Sequence, residues 1–464
     1  MGGKRFLGIT VLTDFILNEG VEGVLDNIAG TAGAVAVACN PTVTAPGSEG
    51  NGSWQPPADA GASVRLFDRP LWGKRELWVR SGPSFEPQTE FYADTPYRPR
   101  RANDLTEKDG GIVDQFLAAA HARGLEVYFQ VGAVQPPGLR LEDTPRLPDG
   151  ACPRNRMAAT GSLASEAIRA YNRAYVRDLL ERYPTVDGLR IDWPEYPCYQ
   201  LDEAFQDFGA PVRAWAEAHG FAFDAIQQDV QAFRSYLLSG LRNEDLELLA
   251  GPDRGLYPLL SYLGRFPGLL EWFRLKAALS ADLVREWQEA LTEWAGPEKK
   301  LSANAFMPPY SFVTGMDFAQ VAPYTDSISA KLYTMHWALM VRFWGDALLT
   351  ANPGLDEGLL VRALVHLMDL SEGGAAPCLA DYDYPGPDAP HPIPNEPQVR
   401  KVRQVAAAIG DTAAFYALVH GYGPVEDFRR RLSLVLETPA QGVWINRYGY
   451  LSDAKLAAIG EVWR

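Results

Sequence analysis

The segment 186–197, VDGLRIDWPEYP, carries the most informative arrangement of charged residues in the chain. Its apolar character predicts a strand, so Arg190 and Asp192 share one face while Leu189 and Ile191 share the other. The apolar pair is expected to pack on helices, which leaves the charged pair inside the fold with Asp192 at the carboxyl end of the strand. Because an unpaired buried charge is costly, we predict that Arg190 holds Asp192 ionised, as a nucleophile or general base requires. The alternative is an ion pair with a purely structural role.

The same segment resembles motifs of sugar hydrolases. DGLRID (187–192) is similar to the fourth-strand motif Asp-Gly-Phe-Arg-x-Asp of the α-amylase families, whose last Asp is the nucleophile, and this implies that role for Asp192. A fainter similarity to the chitinase signature Asp-Gly-x-Asp-x-Asp-x-Glu is interrupted at Arg190 and Pro194. The longer string resembles Asp-Gly-Ile-His-x-Asp-Tyr-x-Arg-Tyr-Pro of bacterial glycosyl-hydrolase-like proteins. The residues in register with that pattern are Asp187, Gly188, Asp192, Tyr196 and Pro197.

The position of a second catalytic carboxylate departs from the α-amylase pattern. That pattern implies a Glu at the end of the fifth strand, where SANAFMPPY offers only Asn304, and a His-Asp pair in the seventh, where His420 has no Asp beside it. We therefore expect the proton donor to come from elsewhere, and Glu195 is the nearest carboxylate to Asp192 along the chain. The remaining candidates, each alternatively a solvated loop carboxylate, are Glu90, Asp381 and Asp383.

A second constellation lies in SISAKLYTMHW (327–337), the sixth predicted strand. Lys331 and Tyr333 share a face near its carboxyl end, and a buried lysine needs a carboxylate, for which Asp192 is the expected partner. Together the ammonium and the phenol would bind a sugar hydroxyl or stabilise developing charge. The alternative is a structural Lys–Asp bridge. The substrate-contact candidates that follow are His336 and Trp337, the second of which would stack on a sugar ring or simply pack in the loop.

Polar side chains end most of the other predicted strands. Because the carboxyl ends of parallel strands meet at one end of a barrel, these residues predict a ring of substrate contacts there. The predicted contacts are Asp14, Asn40, Gln130, Asn304, Asn446 and Tyr448.

Strand-like and helix-like segments alternate along the whole chain. Eight such units predict that residues 1–464 form a single (β/α)8 barrel, whereas the alternative, a doubly wound open sheet, lacks a G-x-G-x-x-G after its first strand. The predicted strands are 6–15, 34–43, 125–134, 186–193, 300–310, 327–337, 414–423 and 442–450. The predicted helices are 21–28, 110–124, 163–183, 355–370, 396–409, 425–437 and 452–463.

Two long insertions depart from a minimal barrel. Residues 44–104, rich in Pro, Gly and aromatic residues, follow the second strand and include a predicted hairpin through Trp72 and Gly73. Residues 198–298 follow the fourth strand and are largely helical in pattern. Since both follow a strand, both are expected to wall a cleft over the end of the barrel that holds the chemistry.

Composition limits the partners. The 464 residues include 43 Lys and Arg against 58 Asp and Glu, a formal charge of −15, which argues against nucleic acid or an anionic membrane as partner. No apolar run reaches the length of a membrane span, and the N-terminus lacks the layout of a signal peptide, so we expect a cytoplasmic protein. The four cysteines are widely spaced and indicate incidental thiols.

Missing motifs limit the chemistry. Among six histidines there is no H-x-H or H-E-x-x-H, and neither a Walker loop nor a G-x-S-x-G elbow occurs, so we expect no metal and no cofactor. The pattern favours a glycoside hydrolase that acts on an oligo- or polysaccharide through Asp192. The competing hypotheses are a non-catalytic carbohydrate-binding barrel and, less favoured, a Schiff-base aldolase that uses Lys331.

Overall fold

Eight parallel strands form a closed barrel. The computed structural model describes residues 5–59, 61–251, 255–371, 374 and 377–463. Around the barrel the strands follow the order β1-β2-β6-β7-β8-β9-β10-β11, after which β11 pairs with β1. Helices between successive strands surround it, so the predicted (β/α)8 architecture is confirmed. No helix within the described ranges has the length and apolar sequence that crossing a membrane requires.

The strands and helices have the following bounds. The strands are β1 Phe6–Thr10, β2 Ala36–Cys39, β3 Thr42–Pro46, β4 Ser53–Gln55, β5 Leu77–Pro83, β6 Glu126–Gly132, β7 Gly188–Asp192, β8 Lys300–Ala305, β9 Ser327–Leu332, β10 Ala414–His420 and β11 Gly442–Asn446. The helices are α1 Thr13–Glu19, α2 Val21–Leu25, α3 Asp104–Asp109, α4 Ile112–Ala122, α5 Glu166–Arg182, α6 Leu201–Ala204, α7 Ala210–Ala218, α8 Phe223–Ser239, α9 Asn243–Leu249, α10 Leu256–Arg265, α11 Gly268–Ala295, α12 Tyr310–Thr314, α13 Phe318–Val321, α14 Thr334–Ala351, α15 Glu357–Leu367, α16 Asn395–Ile409, α17 Val425–Leu436 and α18 Asp453–Trp463.

Every predicted strand segment contains a barrel strand, but the real strands end earlier than the apolar runs. The run 6–15 stops being a strand at Thr10 because α1 begins at Thr13, and the run 327–337 stops at Leu332 because α14 begins at Thr334. In both places the first buried turn of a helix continues the apolar run. A short apolar stretch does not distinguish the two kinds of element, so periodicity alone placed these boundaries wrongly.

The barrel interior is filled by one large ring set against small residues. Trp444 is 1% exposed and packs edge-on against Tyr128, with Ala38 in the same cluster. A Cβ at Gly8 would lie 2.4 Å from the Trp444 ring, so no larger residue fits at that position. The guanidinium carbon of Arg190 lies 3.8 Å from the centre of the same ring. This layer closes the barrel beneath the carboxyl ends of its strands.

Two elaborated segments follow the second and fourth barrel strands. Between β2 and β6, strands β3, β5 and β4 form a small antiparallel sheet in that order. The hairpin predicted at Trp72 and Gly73 is present: both have positive φ, and Leu71 bridges to Lys74 across the turn. Between β7 and β8, helices α6 to α11 form a helical layer in which α11 packs against α5 and α8.

Candidate active site

Partly exposed residues surround the carboxyl ends of the barrel strands, and we call this opening the mouth. Barrel enzymes build their sites at this end because the loops there vary independently of the scaffold. The residues of the mouth are Leu12, Asn40, Gln130, Asp192, Trp193, Tyr333 and Arg447.

Asp192 is the last residue of β7 and the most favourably placed carboxylate at the mouth. Its Oδ1 lies 3.0 Å from Nζ of Lys331 and also accepts the backbone N–H of Trp193. Its side chain is 26% exposed, whereas that of Lys331 is 4% exposed. Within the described chain Oδ2 accepts no hydrogen bond, so one oxygen is anchored and the other has no protein partner. The predicted pairing of Asp192 with Lys331 is therefore present.

Arg190 is placed differently from our expectation. Its guanidinium donates to Ser302 Oγ at 3.3 Å, Ser329 Oγ at 3.2 Å and Asn304 Oδ1 at 2.9 Å, and it makes no ion pair with Asp192. Side chains two residues apart on a strand are about 7 Å apart along it, so Arg190 belongs to the layer below Asp192. Burial lowers the pKa of Arg190 to about 9, which leaves it charged at neutral pH. The prediction that Arg190 is the partner of Asp192 is wrong, because Lys331 has that place.

Asn304 lies in that lower layer as well. It is 1% exposed, its amide oxygen accepts from Arg190, and its Nδ2 has no partner within the described chain. Its position under the mouth fits support of Arg190 better than contact with a substrate.

Glu195 is close to Asp192 but fully buried. Its Oε1 accepts the backbone N–H of Phe306 at 2.6 Å, and its Oε2 accepts the hydroxyl of Thr314 at 2.5 Å. Burial raises the pKa of Glu195 to about 7; the Asp192 carboxylate adds to this, while Lys331 and the two hydrogen bonds oppose it. A carboxyl with this pKa carries a proton about half of the time at neutral pH, as a general acid requires.

Trp193 covers the ion pair. Nζ of Lys331 lies 4.0 Å from the centre of its indole ring and 4.9 Å from that of Phe306. Trp193 has φ +62°, a left-handed conformation that a bulky residue adopts only under constraint from its surroundings. Such strain is concentrated at functional sites, and here it occurs directly after the carboxylate.

His336 lies on α14, not on a strand, and forms the centre of a buried chain of polar groups. Its Nε2 is 2.9 Å from Asp59 Oδ2 and its Nδ1 is 3.1 Å from the hydroxyl of Tyr199. Asp59 also accepts from Arg65 at 2.8 Å. Burial would raise the pKa of Asp59, but His336 and Arg65 outweigh it and hold that pKa below its usual value. At 6% exposed, His336 stands behind Tyr333, with the two ring centres 5.5 Å apart.

Trp337 does not reach the mouth. It is 1% exposed in the main core, and the ammonium of Lys401 lies 5.5 Å from its ring centre. Since α14 begins at Thr334, the side chain turns with the helix into the core. The expectation that Trp337 stacks on a sugar is wrong.

The end of β11 also differs from the prediction. Asn446 is 8% exposed and its Oδ1 accepts from Thr10, as a residue at the rim would. Tyr448 is fully buried outside the barrel, where its hydroxyl donates to Glu19 Oε2 at 2.6 Å. The strand ends at Asn446, so its alternation stops and Arg447 turns toward the mouth instead. Burial raises the pKa of Asp14 and of Tyr333, and the charge of Arg447 opposes that rise. Tyr448 is therefore not a substrate contact, and Arg447 was missed.

The remaining predicted contacts divide between the mouth and its support. Asn40 donates to the backbone oxygen of Gln130 at 2.8 Å, and both are partly exposed. Asp14 is 5% exposed in the first turn of α1 and accepts from Thr44 at 3.0 Å; burial raises its pKa.

The other candidate acids lie away from the mouth. Glu90 is exposed in a short 3₁₀ turn that packs on α5. Asp383 is exposed and pairs with Arg342, and Asp381 caps a short turn through the backbone of Cys378. None of them replaces Glu195.

Sequence reasoning missed several residues in or near the mouth: Leu12, Asp59, Arg65, Trp193, Tyr199 and Arg447. Asp59 and Arg65 come from an irregular segment without periodicity, so their approach to His336 has no local signal. For Arg447 the only signal was its position directly after a strand. The described residues contain no group of three or more His, Cys, Asp or Glu side chains arranged to hold a metal ion.

Comparison with solved structures supports the fold. A β-galactosidase from the psychrophilic Marinomonas ef1 matches with a TM-score of 0.51 and 12% identity over 96% of this chain, which spans only 54% of that protein. The catalytic domain of a β-amylase from Paenibacillus polymyxa matches at TM-score 0.47 and 9% identity, covering 98% of this chain and 97% of the other. A Group IV chitinase from Ostrinia furnacalis matches at 0.43 and 11%, covering 99% of each.

No protein-family model and no curated protein matches the sequence. The match to the β-galactosidase structure therefore shows the barrel fold alone.

Proposed function

We propose that this protein is a glycoside hydrolase whose site is the mouth of the barrel. The observation that carries the proposal is the Asp192 carboxylate, anchored through Oδ1 by Lys331 and without a partner from the described chain at Oδ2. Beside it Trp193 and Tyr333 offer partly exposed ring surfaces and Arg447 a cation, a combination suited to a sugar ring and its hydroxyls. The β-galactosidase with the same fold supports a carbohydrate as substrate.

In the proposed reaction Asp192 acts at the anomeric carbon, either by direct attack or through a water molecule. Lys331 fixes the carboxylate by its charge. Its Nζ is buried and makes no hydrogen bond within the described chain, so it acts on the substrate through Asp192. The glycosidic C–O bond breaks, and water supplies the hydroxyl of the new reducing end. The anomeric configuration of the first product, followed by NMR, distinguishes direct attack from attack by water.

For the proton donor we propose Glu195, because it follows Asp192 by three residues and burial, with a smaller contribution from the Asp192 carboxylate, raises its pKa. Its carboxyl protonates the leaving oxygen. After direct attack by Asp192, Glu195 recovers a proton from the water that hydrolyses the glycosyl-enzyme; when Asp192 activates the water instead, Asp192 takes that proton and solvent reprotonates Glu195. Since the side chain is buried, this role requires Trp193 or Phe306 to move when the substrate binds. Catalytic contacts commonly tighten only in the substrate complex.

The test is turnover of a panel of aryl glycosides, β-galactosides included, and of neutral polysaccharides. Asp192→Asn is expected to lower kcat/KM by about 10²–10⁴-fold or more, because the reacting carboxylate becomes an amide. Asp187→Asn is the matched control: it lies at the opposite end of the same strand segment, with a side chain 37% exposed, and should keep its activity. Equal losses in the two variants would contradict the assignment of Asp192.

The competing function is a non-catalytic carbohydrate-binding barrel, favoured by the burial of Glu195. Binding of a polysaccharide without turnover, unchanged in Asp192→Asn, would establish that alternative. An aldolase needs a neutral amine for its Schiff base, whereas Lys331 lies in an ion pair. Borohydride trapping should therefore give no adduct on Lys331, and Lys331→Met should retain some hydrolysis.

A further inference from the structure

A pocket of about 320 Å³ lies on the small antiparallel sheet, away from the mouth. Its indole walls are Trp54, Trp72 and Trp78, and its charged rim is Glu49, Lys74 and Glu76. We call these six residues the tryptophan pocket. It belongs to the segment that follows the second barrel strand and takes no part in the proposed reaction.

Strand pairing and a tight turn fix the positions of the three indole rings of this pocket. Trp54 of β4 and Trp78 of β5 are directly opposed in the antiparallel register, with ring centres 5.8 Å apart and planes at 73°. Trp72 occupies the tight turn at φ +47°, and its backbone N–H is fixed by Asn18 Oδ1 at 2.9 Å. Trp54 is nevertheless 40% exposed, and Trp72 and Trp78 are partly exposed. Three large rings are thus held in place and left accessible to solvent.

The polar groups of the pocket are unused within the described chain. Neither the side chains of Glu49, Lys74 and Glu76 nor the three indole N–H groups make any hydrogen bond or ion pair there. Aromatic faces combined with a few free polar groups are the composition of a ligand site. Two carboxylates against one ammonium give a negative local charge, which disfavours an acidic ligand.

The position of the sheet suggests the occupant. Strand β3 begins three residues after the end of β2, and the hydroxyl of Thr44 on it donates to the buried carboxylate of Asp14, two residues after Leu12 of the mouth. Five residues of strand then lead to Pro46 on the edge of the pocket, about 14 Å from Thr42 at about 3.4 Å per residue. Asn40 at the mouth and Pro46 at the pocket are six residues apart along the chain, so at most about 22 Å separates them. One polymer chain can span that distance.

We infer that the tryptophan pocket binds a neutral glycan chain, remote from the bond that is cleaved. The apolar faces of the sugar rings would stack on Trp54 and its two neighbours, and their hydroxyls would meet Glu49, Lys74 and Glu76. This inference rests on the proposed function, because the same polymer occupies the mouth.

The experiment is affinity gel electrophoresis in the polysaccharides xylan, mixed-linkage β-glucan, galactan and glycol chitin, with polygalacturonate as the acidic comparator. Trp54→Ala should weaken retardation by at least fivefold in the neutral polymer that retards the intact protein. It should also raise KM for that polymer, with kcat/KM for a short aryl glycoside unchanged. Trp294→Ala is the matched control, since Trp294 is 38% exposed on α11 and lies outside the pocket; it should behave as wild type.

The outcomes separate this inference from the proposed function. If Trp54→Ala and Trp294→Ala behave alike while the protein hydrolyses a polymer, the pocket inference is overturned and the hydrolase stands. If Trp54→Ala loses retardation but no substrate is turned over, the pocket stands and the hydrolase fails. Three results would each overturn the inference. The first is stronger retardation in polygalacturonate than in the neutral polymers, and the second is no retardation in any polymer. The third is a change in tryptophan fluorescence that a proline-rich peptide causes and glycans do not, and that Trp54→Ala abolishes.

Discussion

At the scale of single residues, Asp192 and Glu195 are only three positions apart in the sequence but have different environments. Asp192 is partly exposed and tied to an ammonium, whereas Glu195 is enclosed and hydrogen-bonded to Phe306 and Thr314. In the proposed reaction this contrast fits Glu195, whose pKa burial raises, as the proton donor beside Asp192. The alternation within β7 was enough to predict Asp192 at the rim, but the burial of Glu195 depends on β8 and α12, which no local pattern reveals.

The pH dependence of kcat/KM should report Glu195. Burial raises its pKa to about 7, and the acid must be protonated to act, so activity is expected to fall as pH rises through about 7. Glu195→Gln should remove this basic limb. It should slow glycosides with poor leaving groups by about 10²-fold or more while sparing dinitrophenyl glycosides, whose departure needs no proton. Equal slowing of both classes of substrate would show that Glu195 supports the site without donating a proton.

At the scale of elements, the sequence predicted which segments form the barrel but not where they end. Strand β9 gives way to α14 within two residues, so Trp337 enters the core and His336 stands behind Tyr333. Because β11 likewise ends at Asn446, Arg447 lies at the mouth and the predicted contact Tyr448 is buried. Alternation is a property of regular strand and loses its meaning at the first residue beyond it, which in a barrel is where the chemistry lies.

Packing inside the barrel gives a prediction about β1. Gly8→Ala would place a methyl group 2.4 Å from the Trp444 ring, which cannot shift without disturbing Arg190 beneath the mouth. We expect a loss of about 1–3 kcal/mol in the free energy of unfolding, measured by denaturant titration. Gly23→Ala, in α2 with no heavy atom within 4 Å of the added Cβ, should instead stabilise by up to about 1 kcal/mol. Destabilisation of equal size in both variants would contradict this account of the interior.

At the scale of the whole molecule, contacts between distant segments complete the site. Asp59, which pairs with Arg65 in the irregular segment between β4 and β5, contacts His336 on α14, more than 270 residues later. These contacts join segments by charge and hydrogen bonding, not by hydrophobic periodicity. For this reason the barrel could be predicted from sequence, while the wall of the mouth behind Tyr333 could not.

Burial of Glu195 also links the stability of the whole chain to pH. Its pKa in the folded protein is about 7 against an ordinary value of 4.5, so the folded state binds the proton more tightly than the unfolded state does. The free energy of unfolding should therefore decrease as pH rises from about 4.5 to 7, by about 3 kcal/mol at 1.36 kcal/mol per pKa unit. Glu195→Gln should remove this slope in urea titrations across that range.

Glu90→Gln, an exposed carboxylate outside the barrel, is the control and should leave the slope as it is in wild type. If the pH dependence persists in Glu195→Gln, it arises from other buried carboxyls, such as Asp207, whose pKa burial also raises.

Trp444 and Arg190 close the barrel below Asp192, so the mouth is the route by which a ligand enters and leaves the barrel. A glycan cannot be threaded through the barrel, so both fragments of a cleaved chain must leave by the entrance that admitted it. If the tryptophan pocket binds the polymer as we infer, the fragment held there would remain bound after the bond has broken. On long polymers the release of that fragment, and not the chemistry at Asp192, would then limit kcat. Short products would compete with new polymer chains for the mouth.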